Sequence, residues 1–200
     1  MKPNPSAVEA LIAAGRLFHS RGWVPATGGN FSFRQGPKTI AITASGTHKG
    51  ELRPQDVILA DLDGNALSAS GKTSYETLLH CQIYRRLPQC GAVLHTHSVA
   101  NTVLSRRQDK LNLAGYELLK VLGGVTTHEA TVSIPVFDND QDIARLSAAV
   151  DAHMQKGGVR HGYLIRGHGL YAWGETVAAA RYRVEALEFM FECELRSNTQ

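Results

Sequence analysis

Two short apolar runs constrain the fold of this chain most: "GAVLHTH" (91–97) and "GYLIRGHG" (162–169). Each run is too short for a typical helix and bounded by glycine, so each predicts a buried strand. Several other segments alternate apolar and polar residues, as antiparallel strands do, and amphipathic helices lie between them. The sequence therefore predicts an α/β fold in which a mixed sheet carries helices on both faces.

The first helix is expected from about Ala7 to Arg21, with a capping box of Ser6 and Glu9 and a stop at Gly22. An Asp63-Gly64-Asn65 turn is expected after the third predicted strand. The other expected elements are strands at 30–34, 39–45, 56–60 and 131–137, and helices after Ser74, after Ser98, at 115–123, at 139–155 and from about Glu175 to Leu195.

Length and composition exclude several classes of protein. A chain of 200 residues suits one domain over 1–200, with one sizeable core. It has no run of about 18 apolar residues and no signal-peptide h-region, so we expect a cytoplasmic protein that neither spans nor binds a membrane. The net charge of +3 is small for a nucleic-acid partner, and the arginine pairs at 85–86 and 106–107 are typical of solvated faces.

The cysteines indicate a reduced protein. Three is an odd number, no two of them have CxxC spacing, and inert buried thiols are expected instead of disulfides. They are Cys81, Cys90 and Cys193.

Histidines end both apolar runs. Residues i and i+2 of a strand share a face, so His95 and His97 can hold one divalent metal ion. Taken alone, this pair of histidines is more often two hydrogen-bonded polar residues at a strand end than a metal site. His168 lies between Gly167 and Gly169, where a sharp turn can expose its imidazole. Three imidazoles at two strand ends together indicate an open metal site that keeps a position free for substrate.

Small polar segments indicate an anion site. The turn at 27–30, "TGGN", presents bare amides that can bind an anion, although a structural glycine turn has the same pattern. "TASGTHKG" (43–50) and "SGKTSYE" (70–76) resemble further phosphate contacts, to which Lys72 could add charge. Glu76 and Glu117 are the candidate catalytic carboxylates, although most glutamates on helices are simply solvated.

Five segments in this order resemble the class II aldolase family, the zinc-dependent group typified by fuculose-phosphate aldolase: "TGGNFS", "TASG", "KTSYET", "AVLHTHS" and "LIRGHGLYAWG". They extend from Thr27 to Gly174. The resemblance implies a three-layer α/β/α domain with a central mixed, largely antiparallel sheet. It also implies a homotetramer with sites near subunit boundaries, and one zinc ion per subunit at the positions of His95, His97 and His168.

The resemblance also assigns the remaining site residues. Glu76 matches the acid/base of the aldolases, which can also bind the metal, and Glu117 matches the general acid/base of the family's dehydratases. Some dehydratases have another residue at the position of Glu76, and Thr73 stands where aldolases more often have Pro or Ser. We expect partial burial to raise the pKa of Glu117. The phosphate-contacting positions of the aldolases match Thr27, Gly29, Asn30, Ser45, Gly46 and Ser74.

Within the family, "ITASGTHKGEL", "HTHSVANTVLS", "GYELLKVLG" and "RGHGLYAWGET" are most similar to the dehydratases. This implies removal of water from 5-methylthioribulose 1-phosphate, a phosphosugar of methionine salvage, to give 2,3-diketo-5-methylthiopentyl 1-phosphate. The alternatives are a sugar-phosphate aldolase or epimerase that uses the same zinc, a non-catalytic scaffold like the adducin head domain, and a plain phosphosugar-binding module.

Overall fold

The computed structural model describes residues 2–67 and 71–197, so Ser70, the first residue of "SGKTSYE", lies outside the described residues. Within these residues, five α-helices are interspersed among eight strands. The helices are α1 (Pro5–Ser20), α2 (Thr77–Arg86), α3 (Val99–Arg107), α4 (Ile143–Gln155) and α5 (Val177–Ser197). The strands are β1 (Asn30–Gly36), β2 (Thr39–Thr43), β3 (Val57–Asp61), β4 (Ala92–Thr96), β5 (Lys110–Ala114), β6 (Thr131–Phe137), β7 (Tyr163–Ile165) and β8 (Gly169–Gly174).

The strands form one sheet in the order β3-β2-β1-β4-β8-β7-β6-β5. Every neighbouring pair is antiparallel except β6 and β7, which are parallel. The prediction of a mixed, largely antiparallel sheet is therefore confirmed. β4 lies near the middle, between β1 and β8, so its His-x-His end meets the turn before β1 and the turn before β8.

Helices cover both faces of the sheet, which confirms the three layers. On one face α1, α3 and α5 bury their apolar stripes against the sheet, with Leu11, Leu104 and Leu187 in one core. On the other face α2 and α4 contribute Leu79 and Val150 to a second core. Burying such a side chain stabilises the fold by about 1.5–3 kcal/mol, so both cores fix the sheet rigidly between its helices.

The structure corrects the start of α1. The N-cap is Asn4, whose side chain accepts a hydrogen bond from the N–H of Ala7 at 3.2 Å, and Pro5 occupies the first turn. The Ser6–Glu9 capping box is therefore wrong, because Pro5 has a φ already suited to the first helical position and no N–H to satisfy. The predicted stop is confirmed at Gly22, where φ is +72°.

Two strands were missed, and one predicted helix has a different form. β5 and β8 were not expected. The segment at Glu117–Val121 is a 3-10 helix. The cysteines are all free, as predicted. Burial raises the pKa of Cys81 and of Cys90 to about 12, which makes both thiols inert near neutral pH, whereas Cys193 is only half-buried.

None of the described helices is both long and apolar enough to cross a lipid bilayer.

An ion pair ties α2 to α4 over the second core. Arg86 donates to both carboxylate oxygens of Asp151, at 2.9 and 2.6 Å, and Gln82 and Gln155 donate to the same carboxylate. The hydrogen bond from Arg86 is the main reason that the pKa of Asp151 is lowered to about 2. This geometry is bidentate and only partly exposed, which makes the pair stronger than most surface ion pairs.

We expect Asp151→Asn to lower the free energy of unfolding by about 1 kcal/mol at pH 7. Because the pKa of Asp151 is lower in the folded state, the stabilisation is complete above about pH 4 and is lost as the pH falls towards 2. Urea unfolding at pH 7 and pH 2.5 measures this. Asp63→Asn is the control, since the Asp63 carboxylate is 85% exposed and 3.6 Å from Arg85. Equal losses in the two variants would contradict the prediction.

Candidate metal centre

His95 is held rigidly at the end of β4. Its side chain is fully buried, and its Nδ1 donates to the backbone carbonyl of Leu170 on β8 at 2.9 Å. A carbonyl can only accept, so the proton is on Nδ1 and the lone pair is on Nε2. Burial lowers the pKa of His95 well below its usual range, which keeps the imidazole neutral. A neutral, oriented imidazole is the form that binds metals.

His97 lies just beyond β4, against the predicted glycine turn. Its Nε2 is 2.8 Å from Nε2 of His95 and accepts a hydrogen bond from the N–H of Gly29 at 3.3 Å. A Cβ on Gly28 would lie 3.0 Å from Nδ1 of His97, and a Cβ on Gly29 would lie 2.4 Å from the carbonyl oxygen of His95. The turn therefore needs both glycines to approach the histidines. Burial lowers the pKa of His97 to about 4.

His168 completes the set from the turn between β7 and β8. Gly167 has a φ of +63°, and a Cβ on Gly169 would lie 2.2 Å from the carbonyl oxygen of Thr96. The two glycines that flank His168 thus serve different purposes, a left-handed turn and a close approach to β4. Nε2 of His168 is 2.9 Å from the Glu76 carboxylate, and its buried Nδ1 has no partner among the described residues.

Glu76 joins the three histidines just before α2. Its Oε2 is 3.7 Å from Nε2 of His95 and accepts a hydrogen bond from the side-chain amide of Asn30. Burial alone would raise the pKa of Glu76, but His95, His168 and Asn30 together lower it well below its usual range. The carboxylate is therefore ionised at neutral pH and is available as a ligand.

The four side chains fit a divalent cation. One ligand atom from each lies within 4.8 Å of the others, in a group of Glu76, His95, His97 and His168. The Nε2 atoms of His95 and His97 lie 2.8 Å apart, and the lone pair on Nε2 of His95 points into the group. Nitrogen and carboxylate donors suit zinc and related ions. The predicted histidines are thus brought together, with Glu76 as a fourth donor.

Asn30 has a different environment from that of a phosphate contact. It is 4% exposed, and while its amide donates to Glu76, its Oδ1 accepts from Nε2 of His80. Nδ1 of His80 in turn lies 2.7 Å from the hydroxyl of Ser32, which is 2.8 Å from that of Tyr84. This buried chain of hydrogen bonds fixes Asn30 and, through it, Glu76.

Sequence reasoning missed His80, although a signal was present. His80 follows Glu76 by four residues, so both lie on one face of the same helical segment. Ser32 likewise shares a face of β1 with Asn30. Burial lowers the pKa of His80 to about 3, so its imidazole is neutral and can donate from one nitrogen while accepting at the other.

The other predicted phosphate residues lie on three segments that meet beside the metal centre. Thr27, Ser45 and Gly46 are exposed, and Ser74 is half-buried. The N–H of Ser45 donates to the carbonyl of Lys72 at 2.8 Å, which joins two of the segments. The ammonium of Lys49 donates to the carbonyls of Thr27 and Thr47, both at 2.7 Å. Lys49 is 2% exposed, so it, and not the exposed Lys72, is the buried cation here.

Glu117 does not join the cluster within this chain. Its side chain is 70% exposed and pairs with Lys120 at 2.6 Å and His128 at 3.4 Å. The hydrogen bond from Lys120 lowers the pKa of Glu117, so the expectation of a raised pKa through partial burial is wrong for this chain. The physical reason is the short 3-10 helix, which turns Leu119 into the core and Glu117 towards solvent.

Residues 9–195 match the family described as Class II Aldolase and Adducin N-terminal domain. A protein of Pseudomonas syringae pv. tomato named methylthioribulose-1-phosphate dehydratase is 52% identical over 193 residues, which cover 96% of this chain and 95% of that protein. A protein of the same name from Gluconacetobacter diazotrophicus is 53% identical over 195 residues, covering 96% and 94%. The l-fuculose-1-phosphate aldolase structure from Thermus thermophilus has a TM-score of 0.78 at 24% identity over 96% of both chains, which shows the shared fold.

We expect His97→Ala and His168→Ala to reduce bound divalent metal from about one equivalent to near zero, because each change removes one donor of a four-donor site. Glu76→Gln should weaken binding less, since an amide oxygen can still coordinate. Elemental analysis after dialysis gives the occupancy. His153→Ala, on α4, is the control and should keep its metal. Wild-type occupancy in either histidine variant would remove that residue from the ligand set.

Proposed function

The chain belongs to the Class II Aldolase and Adducin N-terminal domain family, as its motifs predicted, and we propose that it removes water from methylthioribulose 1-phosphate in a zinc-dependent reaction. One observation carries this proposal: about half of the residues are identical to methylthioribulose-1-phosphate dehydratases over nearly the whole of both chains. The chain is therefore a dehydratase, a carbon–oxygen lyase. The same proposal places it in methionine salvage in the cytoplasm.

The proposed reaction is a β-elimination in 5-methylthioribulose 1-phosphate. A base removes the proton at C3, which is acidic because it lies next to the C2 carbonyl. The electron pair forms a C3–C4 double bond as the C4 hydroxyl leaves with a proton as water. The resulting enol at C3 becomes a ketone, giving 2,3-diketo-5-methylthiopentyl 1-phosphate. Zinc, when bound by the three histidines, would supply a Lewis acid for the negative charge that develops on the C2 and C3 oxygens.

We assign the main proton transfer to Glu117 and a supporting role to Glu76. The low pKa of Glu76 makes it a weak base at neutral pH, and its oxygens face His95, His168 and Asn30. These contacts suit a metal ligand better than a proton carrier. The carboxylate of Glu117 instead pairs at the surface with Lys120 and His128, neither of which is a candidate metal ligand.

Glu117 would reach a metal centre through assembly, and we propose a homotetramer. Beside the Glu117 helix lies a groove of about 410 Å³ lined by Trp23, Leu118, Val121, Tyr182 and Phe189, among others. Tyr182 and Phe189 are 53% and 51% exposed. Exposed apolar side chains that lie together in a groove are typical of surfaces that bind another protein. A second copy over this groove would bury them and desolvate Glu117, raising its pKa towards the range useful for acid/base work.

The substrate phosphate is proposed to bind on the three segments beside the metal centre. The N–H groups of Thr27 and Gly46, with the hydroxyls of Ser45 and Ser74, are the proposed donors for its oxygens. The N–H of Gly29 already donates to His97, so the proposed contribution of Gly29 is the close approach of the turn to the metal centre. The buried ammonium of Lys49 adds positive charge behind the turn. For Asn30 the proposed contribution is indirect, since its side chain already bonds Glu76 and His80. A phosphate held here would orient carbons several bonds away.

We expect the zinc-loaded protein to convert methylthioribulose 1-phosphate into a product lighter by one water, as mass spectrometry would detect. The sugar without phosphate should react far more slowly, because the phosphate contacts align the reacting carbons. Cleavage between C3 and C4 would identify an aldolase instead, and a change of configuration without loss of mass an epimerase. Zinc-loaded protein that leaves the substrate unchanged would contradict the proposal and favour a scaffold or binding module.

We expect Glu117→Gln to keep zinc and fold but to lose kcat by about 10²–10⁴-fold, the usual contribution of a general acid/base. Glu76→Gln should instead act largely through metal affinity, so excess zinc should restore part of its activity. Glu129→Gln, another exposed glutamate, is the control and should turn over normally. Normal turnover by Glu117→Gln, with zinc-saturated Glu76→Gln inactive, would transfer the role to Glu76.

A further inference from the structure

We propose that Glu188 on α5 is a positioning residue for the metal centre, which holds the chain on both sides of His97 in place. Glu188 is 1% exposed and takes no part in the reaction described above. The proposal concerns the metal centre itself, so it stands whichever phosphosugar the site accepts.

Three hydrogen bonds connect the Glu188 carboxylate to the His-x-His segment. Its Oε1 accepts from the hydroxyl of Thr96 at 2.6 Å and from the amide of Asn101 at 2.9 Å. Its Oε2 accepts from the hydroxyl of Ser98 at 2.5 Å. Thr96 and Ser98 are the immediate neighbours of His97, one on each side. The carboxylate thus bonds to the residues flanking a ligand without touching the ligand.

The sheet geometry turns these bonds into a constraint on the imidazoles. Successive side chains of a strand point to opposite faces, so Thr96 faces α5 while His95 faces the other side of the sheet. Fixing Thr96 and Ser98 from the α5 side sets the rotation of the strand end. That rotation determines where the His97 ring points, and a displacement of about 1 Å is enough to spoil a metal site.

The same network extends to the third histidine. The hydroxyl of Thr102 lies 3.3 Å from Oδ1 of Asn101 and 3.2 Å from the carbonyl oxygen of His168. Ser98 is also the N-cap of α3, accepting from the N–H of Asn101 at 3.0 Å. Both metal-bearing segments therefore adjoin one buried polar network centred on Glu188.

Stability alone does not account for a carboxylate in this position. Burial raises the pKa of Glu188 to about 7, and the hydrogen bonds from Thr96, Ser98 and Asn101 offset this only in part. Three neutral donors offset only part of the free energy that is lost when a carboxylate leaves water. Proteins in which apolar residues of similar volume replace such buried charged groups are often equally stable or more stable. The fixed directions of three hydrogen bonds are what an apolar replacement could not supply.

The test uses the cobalt-loaded protein, since Co²⁺ reports ligand geometry through its visible absorption bands. Glu188→Gln keeps the size of the side chain but replaces one acceptor oxygen with a donor nitrogen. We expect its visible spectrum to shift and its metal affinity, measured by chelator competition, to fall at least about tenfold. Asp151→Asn is the matched control: it should lose stability while keeping both the wild-type spectrum and affinity.

Thr96→Val removes the hydrogen bond between Thr96 and Glu188 by changing the donor, and valine has nearly the same shape as threonine. This variant replaces Glu188→Gln in the test if Glu188→Gln does not fold. It should shift the spectrum in the same way, by a smaller amount. If Glu188→Gln folds and keeps the wild-type spectrum and metal affinity, Glu188 has only a structural role and the proposal is overturned. If Glu188→Gln does not fold, the same result in Thr96→Val overturns the proposal. Wild-type protein that binds no cobalt would overturn the metal centre and this inference with it.

Discussion

The alternation of side chains along β4 is the constraint on which the rest of the site depends. Val93 packs in the core beneath α2 and α4, and Leu94 packs in the core beneath α1, α3 and α5. His95 continues the first row and Thr96 the second. One strand can therefore present imidazoles to a metal on one face while a carboxylate on α5 anchors it from the other. A slip of one residue in register would exchange the two faces and destroy both arrangements.

Close backbone approach is the second requirement, and glycine satisfies it. A Cβ at Gly169 would lie 2.2 Å from the oxygen of Thr96, and one at Gly29 would lie 2.4 Å from that of His95. The turns before β1 and β8 are thereby drawn against the end of β4, which gathers ligands from segments far apart in sequence. The turn at 27–30, which the sequence suggested as an anion site, is thus also one of the two turns that let the histidines converge.

The sequence predicted those parts of the structure that local pattern determines. The spacing of His95 and His97 and the glycines around His168 indicated a shared metal, because strand periodicity and glycine conformation are local properties. β5 was missed although Leu111 and Leu113 alternate, since the segment is short and half exposed. β8 was missed because it is buried throughout, so its residues do not alternate between apolar and polar in the way that predicts a strand. The contacts of Glu188 and His80 join residues from 48 to 92 positions apart, which no local pattern reveals.

The two candidate carboxylates show how environment, and not residue type, separates their roles. Glu76 lies among imidazoles and an amide donor, which favour its charged form and make it a ligand. Glu117 is solvated and paired with Lys120 within one chain, which also favours its charged form and leaves it a poor proton donor. A proton carrier at neutral pH needs a less polar setting, and within this chain nothing among the described residues provides one around Glu117. The exposed Tyr182 and Phe189 beside it could provide that setting once a second subunit covers them. In the proposed mechanism, assembly is therefore a condition of proton transfer.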